Sequence, residues 1–174
     1  MKKIIFTMLI ALLVAAVPTT IEAKKKKTTR KTVQEQKYDY LSALERKIVG
    51  KHMLSLQWIS WKYFGSVTIK KEANGTLSCK GEQLARNCRD AEQGNIDNGD
   101  YVKLDGIIDI ADEKNLVFTG VIRTKVYHIN NGQEVVREGT FNFEAKDNRK
   151  FWRMYPVSNP VDECADYIDI YFKR

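Results

Sequence analysis

The architecture is most visible in residues 101–144, which read YVKLDGIIDIADEKNLVFTGVIRTKVYHINNGQEVVREGTFNFE. Apolar and polar residues alternate along three runs, and two segments rich in turn-forming residues separate the runs. In the first run Val102, Leu104 and Ile108 share one face, opposite charged neighbours. This alternation is typical of antiparallel strands that place one face on a core.

The same period of two extends to both sides of this stretch. The eight predicted strands cover about 52–61, 64–71, 76–82, 101–110, 115–129, 134–146, 149–155 and 166–173. A helix is predicted over Tyr38–Val49, and Gly50 is placed to end it. Eight consecutive antiparallel strands after one short N-terminal helix predict an all-β fold, an up-and-down barrel. A β-sandwich is the alternative, but most connections are too short for its crossovers.

Turn residues also predict strand registers. A two-residue turn at Asn131-Gly132 would place Ile122 opposite Phe141. The turn at 111–115 places Gly106 opposite Gly120, which gives a closing sheet room to bend. In the seventh strand a two-residue turn would point Trp152 inward, whereas a five-residue loop would point Arg153 inward.

The first 23 residues have the pattern of a secretory signal peptide. Lys2 and Lys3 precede an uncharged apolar run, and Ala23 offers a small residue for cleavage. No cysteine lies near this segment, so the expected product is an exported, periplasmic or extracellular protein that is not a lipoprotein. An uncleaved N-terminal anchor is the alternative.

The excess of positive charge is concentrated in one segment. Lys24–Lys37 holds seven basic residues and one acid, whereas residues 38–174 hold 20 basic and 20 acidic residues. We expect the basic segment to be a flexible tether, either a solvated spacer or a segment attracted to an anionic surface. Residues 38–174 form the predicted barrel domain. Without net charge it is not expected to bind nucleic acid.

Three cysteines are too few for a disulfide framework. In an oxidising compartment one bridge and one free thiol is the simplest arrangement. The candidates are Cys79–Cys88, which closes a short loop, and Cys88–Cys164, which joins two loops. The spacing contains no zinc motif and the two histidines are far apart, so no metal or cofactor is predicted.

Four motifs carry a resemblance to a known family. They are residues 50–61 (GKHMLSLQWISW), 137–141 (REGTF), 149–153 (RKFWR) and 166–172 (DYIDIYF). These motifs resemble an uncharacterised family of secreted, lipocalin-like (calycin-like) bacterial β-barrel proteins. The resemblance implies the fold and an exported location, and it implies no activity.

In an up-and-down barrel the loops after strands one, three, five and seven meet at the end opposite the helix. The candidate ligand-binding residues at that end are Trp61, Tyr63, Phe64, His128, Arg137 and Tyr155. The inward Arg137 needs a partner, either a buried carboxylate such as Glu82 or an anionic group of a ligand.

These features predict a monomeric, non-catalytic protein that binds a small apolar or ring-shaped ligand in an aromatic-rimmed mouth. The alternative is a module or inhibitor with a filled barrel, whose loops contact a protein or an envelope polymer. No catalytic motif supports an enzyme.

Overall fold

The structure is a computed structural model, and it describes residues 32–85 and 99–173. A single helix, α1 (Val33–Ile48), comes before all the strands that these residues form. The strands are β1 (Gly50–Leu56), β2 (Gly65–Lys71), β3 (Leu77–Leu84), β4 (Tyr101–Ile110), β5 (Asn115–Lys125), β6 (Val135–Glu144), β7 (Phe151–Tyr155) and β8 (Ile168–Tyr171). The helix in this part of the chain is not long and apolar enough to cross a lipid bilayer.

The eight strands form one closed antiparallel barrel. Each strand pairs with the next along the chain, and the last returns to the first with Leu54 of β1 opposite Ile170 of β8. The predicted all-β, up-and-down barrel with one helix is therefore confirmed. Closure pairs every described strand with a neighbour on both sides, although β6 pairs with β7 only through Asn142–Glu144.

Two paired glycines let the sheet bend. Gly106 of β4 lies opposite Gly120 of β5, as the turn at 111–115 predicts. A methyl group on Gly106 would come within 2.4 Å of the Thr119 carbonyl oxygen and 2.8 Å of the Phe118 ring. Glycine is needed here because backbone and ring occupy the space of a side chain.

Apolar side chains fill the inside of the barrel. The largest fully buried ones include Leu104 of β4, Phe118 and Ile122 of β5, Phe143 of β6 and Met154 of β7. Each contributes roughly 1.5–3 kcal/mol through burial. The barrel interior is thus the hydrophobic core of the protein.

Helix α1 packs against one end of the barrel, which we call the closed end. Its buried residues Leu44 and Ile48 join the hydrophobic core. The buried ring of His52 in β1 ties the helix to the last strand. Its Nε2 lies 2.6 Å from the Ile48 carbonyl oxygen, and its Nδ1 lies 2.8 Å from that of Tyr171.

The helix begins at Val33, so its predicted start at Tyr38 was wrong. The last five residues of the predicted tether are helical because a capping box starts the helix. The Glu35 amide donates to Thr32 Oγ1, and the Thr32 amide donates to the Glu35 carboxylate. The predicted signal peptide and residues 24–31 of the predicted tether lie outside the described residues.

The register predicted for β5 and β6 was also wrong. Ile122 lies opposite Arg137 rather than Phe141. The turn is longer than two residues because β5 already ends at Lys125. Beyond it, the side chains of Val126 and Ile129 fold back into the core. The shift is even, so the side chains within β5 and β6 keep their predicted faces. In β7 Trp152 points inward, which settles the choice between Trp152 and Arg153.

Candidate functional site

The end of the barrel opposite α1, which we call the open end, is formed by the connections after β1, β3, β5 and β7. Three of them are described throughout: 57–64, 126–134 and 156–167. Of the connection after β3, residues 86–98 lie outside the described part. The open end brings together side chains that are more than 100 residues apart in the chain.

A buried ion pair lies at the open end. Arg137 of β6 points inward, and its Nη2 lies 3.0 Å from Oδ2 of Asp166, which precedes β8. Only 8% of the Arg137 side chain and 1% of the Asp166 side chain are exposed. The suggested partner Glu82 was wrong, because it lies on the outer face of β3 beside Lys103.

Asp166 accepts hydrogen bonds from two further groups. Trp58 Nε1 donates to Oδ1 at 3.1 Å, and Asn159 Nδ2 donates to Oδ2 at 2.9 Å. Burial raises the pKa of Asp166 above its ordinary value, while Arg137 and these two donors act in the opposite direction. Burial likewise lowers the pKa of Arg137, against the effect of Asp166.

The guanidinium of Arg137 keeps unused donors. Its Nε and Nη1 are buried and have no hydrogen-bond partner among the residues that the structure describes. Leaving a buried donor unpaired costs about 1–3 kcal/mol. The site can therefore offer donors to a further acceptor.

Aromatic side chains also lie at the open end. Trp58 meets His128 edge-to-face, with 5.5 Å between ring centroids, and His128 meets Tyr127 at 4.7 Å. Trp61 and Tyr63, in the connection after β1, are exposed. We call Trp61, Tyr63, Tyr127 and His128 the aromatic rim.

Two predicted site residues lie on the outer face of the barrel rather than in its mouth. Phe64 packs on Tyr171, with 5.0 Å between ring centroids, on the outer face of the barrel. Tyr155 alternates with the inward Met154 and lies under Lys146 Nζ, which is 4.3 Å from its ring centroid. Both side chains thus cover the outside of the sheet rather than the mouth.

The sequence did not reveal Asp166, Asn159 or the hydrogen bond from Trp58. Trp58 packs against the core, and its Nε1 donates to Asp166. The one available signal was the inward Arg137, which required a carboxylate. The identity of that carboxylate depends on the path of the loop 156–167.

The cysteines differ in environment. Cys79 is fully buried inside the barrel, and burial raises the pKa of its thiol to about 12. Cys164 is half-buried in the connection before β8, and both are free thiols in the structure. Cys88 lies outside the described residues, so the bridge remains a prediction. No group of three or more His, Cys, Asp or Glu in the described ranges could hold a metal ion.

A separate cavity of about 360 Å³ lies at the closed end. Its apolar wall includes Trp152 and Phe172, and Lys47 and Lys173 are among the charged residues that line it. Lys47 already pairs with Glu113, with 2.9 Å between Nζ and Oε1. Lys173 donates to carbonyl groups at the end of α1. The cavity is a competing site that experiments on the open end must control for.

Comparison with known proteins places the chain in a family. Residues 27–172 match the PM1083 family. The uncharacterised protein PM1083 of Pasteurella multocida (strain Pm70) is 42% identical over 134 residues, which are 77% of this chain and 79% of the relative. No solved structure matches the chain. An uncharacterised family was expected, and the eight-stranded barrel is consistent with a lipocalin-like class. The chain belongs to the PM1083 family.

Proposed function

We propose that this protein is a non-catalytic binding protein whose site is the open end of the barrel. The observation that carries the proposal is the aromatic rim, which lies at the same end of the barrel as the buried pair of Arg137 and Asp166. About half of the Trp61 and Tyr127 surface is exposed, at 50% and 52%, and Tyr63 is 38% exposed. Single exposed aromatic residues are common, but several on adjoining loops favour a binding surface.

The ligand binds at the mouth rather than deep in the barrel. Large side chains such as Phe118 and Phe143 occupy the interior and are fully buried. An eight-stranded barrel is just wide enough to be filled in this way. A small apolar or ring-shaped ligand therefore contacts the rim, where edge-to-face and stacked rings attract one another.

A second candidate is supported by the same filled interior. In this alternative the exposed Trp61 and Tyr63 contact a protein or an envelope polymer, as an interaction module or inhibitor would. Aromatic residues are enriched in protein interfaces. A rim that binds no small ring compound would favour this alternative.

The location belongs to the proposal as well. The signal-like residues 1–23 support an exported, periplasmic or extracellular protein without a lipid anchor, and the basic segment 24–37 supports contact with an anionic surface. The closed barrel supports a monomer. Mass spectrometry of protein from cell fractions would show export and the cleavage point.

The rim can be tested with N-phenyl-1-naphthylamine, an uncharged ring compound that fluoresces when it leaves water. We expect the full chain to bind it and Tyr127→Ala to weaken binding by roughly 2- to 10-fold, the range for one aromatic contact. Tyr38→Ala, on the exposed face of α1, is the matched control. Equal binding by both variants, or no binding by the native chain, would overturn the proposal.

A further inference from the structure

We propose that the open end recognises an anionic oxygen group of its ligand through the buried guanidinium of Arg137. This inference rests on the proposed function, because the ring of the ligand is held by the aromatic rim. It adds the chemical class of the ligand: a ring compound that carries a carboxylate, sulfonate or phosphate.

The unused donors of Arg137 carry the inference. A guanidinium has five N–H donors and stays charged in proteins. Asp166 approaches only Nη2, and the buried Nε and Nη1 meet no acceptor among the described residues. Buried donors in folded proteins are nearly always satisfied by protein, water or ligand. An oxygen anion is the acceptor that a guanidinium binds most strongly.

A second arginine in this chain shows what a purely structural pair looks like. Arg153 donates to both oxygens of Asp169, from Nε at 2.8 Å and from Nη2 at 2.7 Å. Its guanidinium also lies over the Tyr167 ring, 4.0 Å from the centroid. Arg137 makes a single contact with its carboxylate, so most of its donors remain available.

The surroundings of Asp166 keep Arg137 in place without consuming these donors. Trp58 and Asn159 donate to the Asp166 carboxylate, so its oxygens are occupied from other directions. The carboxylate therefore anchors one nitrogen of the guanidinium and leaves the other two. Because solvent does not reach those nitrogens, a ligand can reach them only if a neighbouring side chain moves. We expect the half-buried Trp58, which contacts Asp166, to shift when a ligand binds.

Two probes that differ by one charged group test the inference on the full chain. 1-Anilinonaphthalene-8-sulfonate has the ring system of N-phenyl-1-naphthylamine and adds a sulfonate. We expect the native chain to bind the sulfonate probe at least about tenfold more tightly, as a charge-assisted hydrogen bond predicts. Arg137→Gln should remove that preference, so that the variant binds the two probes with equal affinity.

The matched control is Arg149→Gln. Arg149 is a half-buried arginine in the turn between β6 and β7, at the closed end, and its loss changes the net charge by the same amount. We expect this variant to keep the preference for the sulfonate probe. Loss of the preference in both variants would mean attraction to net positive charge, and would overturn the inference.

A measurement on the native chain guards against a variant that does not fold. The Nε–H resonance of Arg137 should shift in an NMR titration with the sulfonate probe and stay unchanged with the neutral one. Phe172→Ala tests the closed-end cavity. If that variant abolishes sulfonate binding while the Arg137 resonance is unmoved, the anion site is elsewhere and the inference is wrong.

The outcomes separate the two proposals. If both probes bind equally and Arg137→Gln changes neither, anion recognition fails while the aromatic rim stands as a binding site. If neither probe binds the native chain, the proposed function fails too.

Discussion

Arg137 lies 3.0 Å from Asp166, measured from Nη2 to Oδ2, and the two side chains are almost completely buried. One belongs to the sixth strand, and the other belongs to the loop that leads into the eighth. The ion pair therefore connects two walls of the barrel at its open end. Its contribution to stability and its proposed part in binding can be measured separately.

Removing Asp166 should destabilise the protein strongly. Asp166→Ala leaves the buried charge of Arg137 without its carboxylate, and breaking a buried pair in this way costs about 3–5 kcal/mol of unfolding free energy. Denaturant unfolding followed by circular dichroism measures the loss. Asp105→Ala, which breaks the exposed pair with Lys80, should cost no more than about 1 kcal/mol. Equal effects would show that the pair is not buried in solution.

Because side chains fill the barrel interior, a substitution that creates a cavity there should destabilise the protein strongly. Phe118→Ala should lower the free energy of unfolding by about 3–5 kcal/mol, because the surrounding strands cannot close the gap. Ile107→Ala, on the outer face of β4, should change it far less. If Phe118→Ala lowered the free energy of unfolding as little as Ile107→Ala does, the barrel would be hollow. The ligand would then be expected to bind inside it rather than at the mouth.

The capping box predicts that Thr32 stabilises α1. Thr32→Ala removes the acceptor of the Glu35 amide and should cost about 0.5–2 kcal/mol. Hydrogen exchange of the first-turn amides, measured by NMR, should become faster in the variant. The exposed Gln34→Ala in the same turn is the control. Unchanged exchange in Thr32→Ala would mean that the helix starts later, as the composition of the segment first indicated.

The phenol of Tyr101 should ionise only at a pH above the ordinary value for tyrosine. Burial and the hydrogen bond to Glu134, 2.6 Å from its hydroxyl, raise the pKa of Tyr101 from 10.0 to about 12. A raised acid pKa contributes stability that is present below pH 10 and is lost as the pH rises through 12. NMR titration of the ring should show this midpoint, and Glu134→Gln should lower it. An unchanged midpoint in that variant would show that Glu134 does not raise the pKa of Tyr101.

The two described cysteines should differ in reactivity. Under reducing conditions at pH 8, iodoacetamide should modify Cys164 and leave Cys79 intact, because the pKa of the Cys79 thiol is about 12 and its side chain is buried. Mass spectrometry after digestion identifies the modified residue, and denaturant should make both react. Rapid modification of native Cys79 would contradict the described barrel.

Local pattern was sufficient to predict the barrel, its eight strands and the inward face of most of them, whereas the face of β7 was left open. The period of two placed Phe118, Phe143 and Arg137 inside, and even the wrong register of β5 and β6 kept these faces. This works because side-chain direction in a strand depends only on parity along the chain.

The partners of those side chains were decided by the folded chain. Asp166, Asn159 and Trp58 meet Arg137 because the connections 57–64 and 156–167 follow particular paths over the open end. The path of a loop depends on where its side chains can be buried and where its polar groups can form hydrogen bonds. Val126 and Ile129, for example, are buried in the core just after β5 ends. No periodic pattern in the sequence predicts such contacts, so the cluster around Arg137 and Asp166 forms only when the barrel has closed.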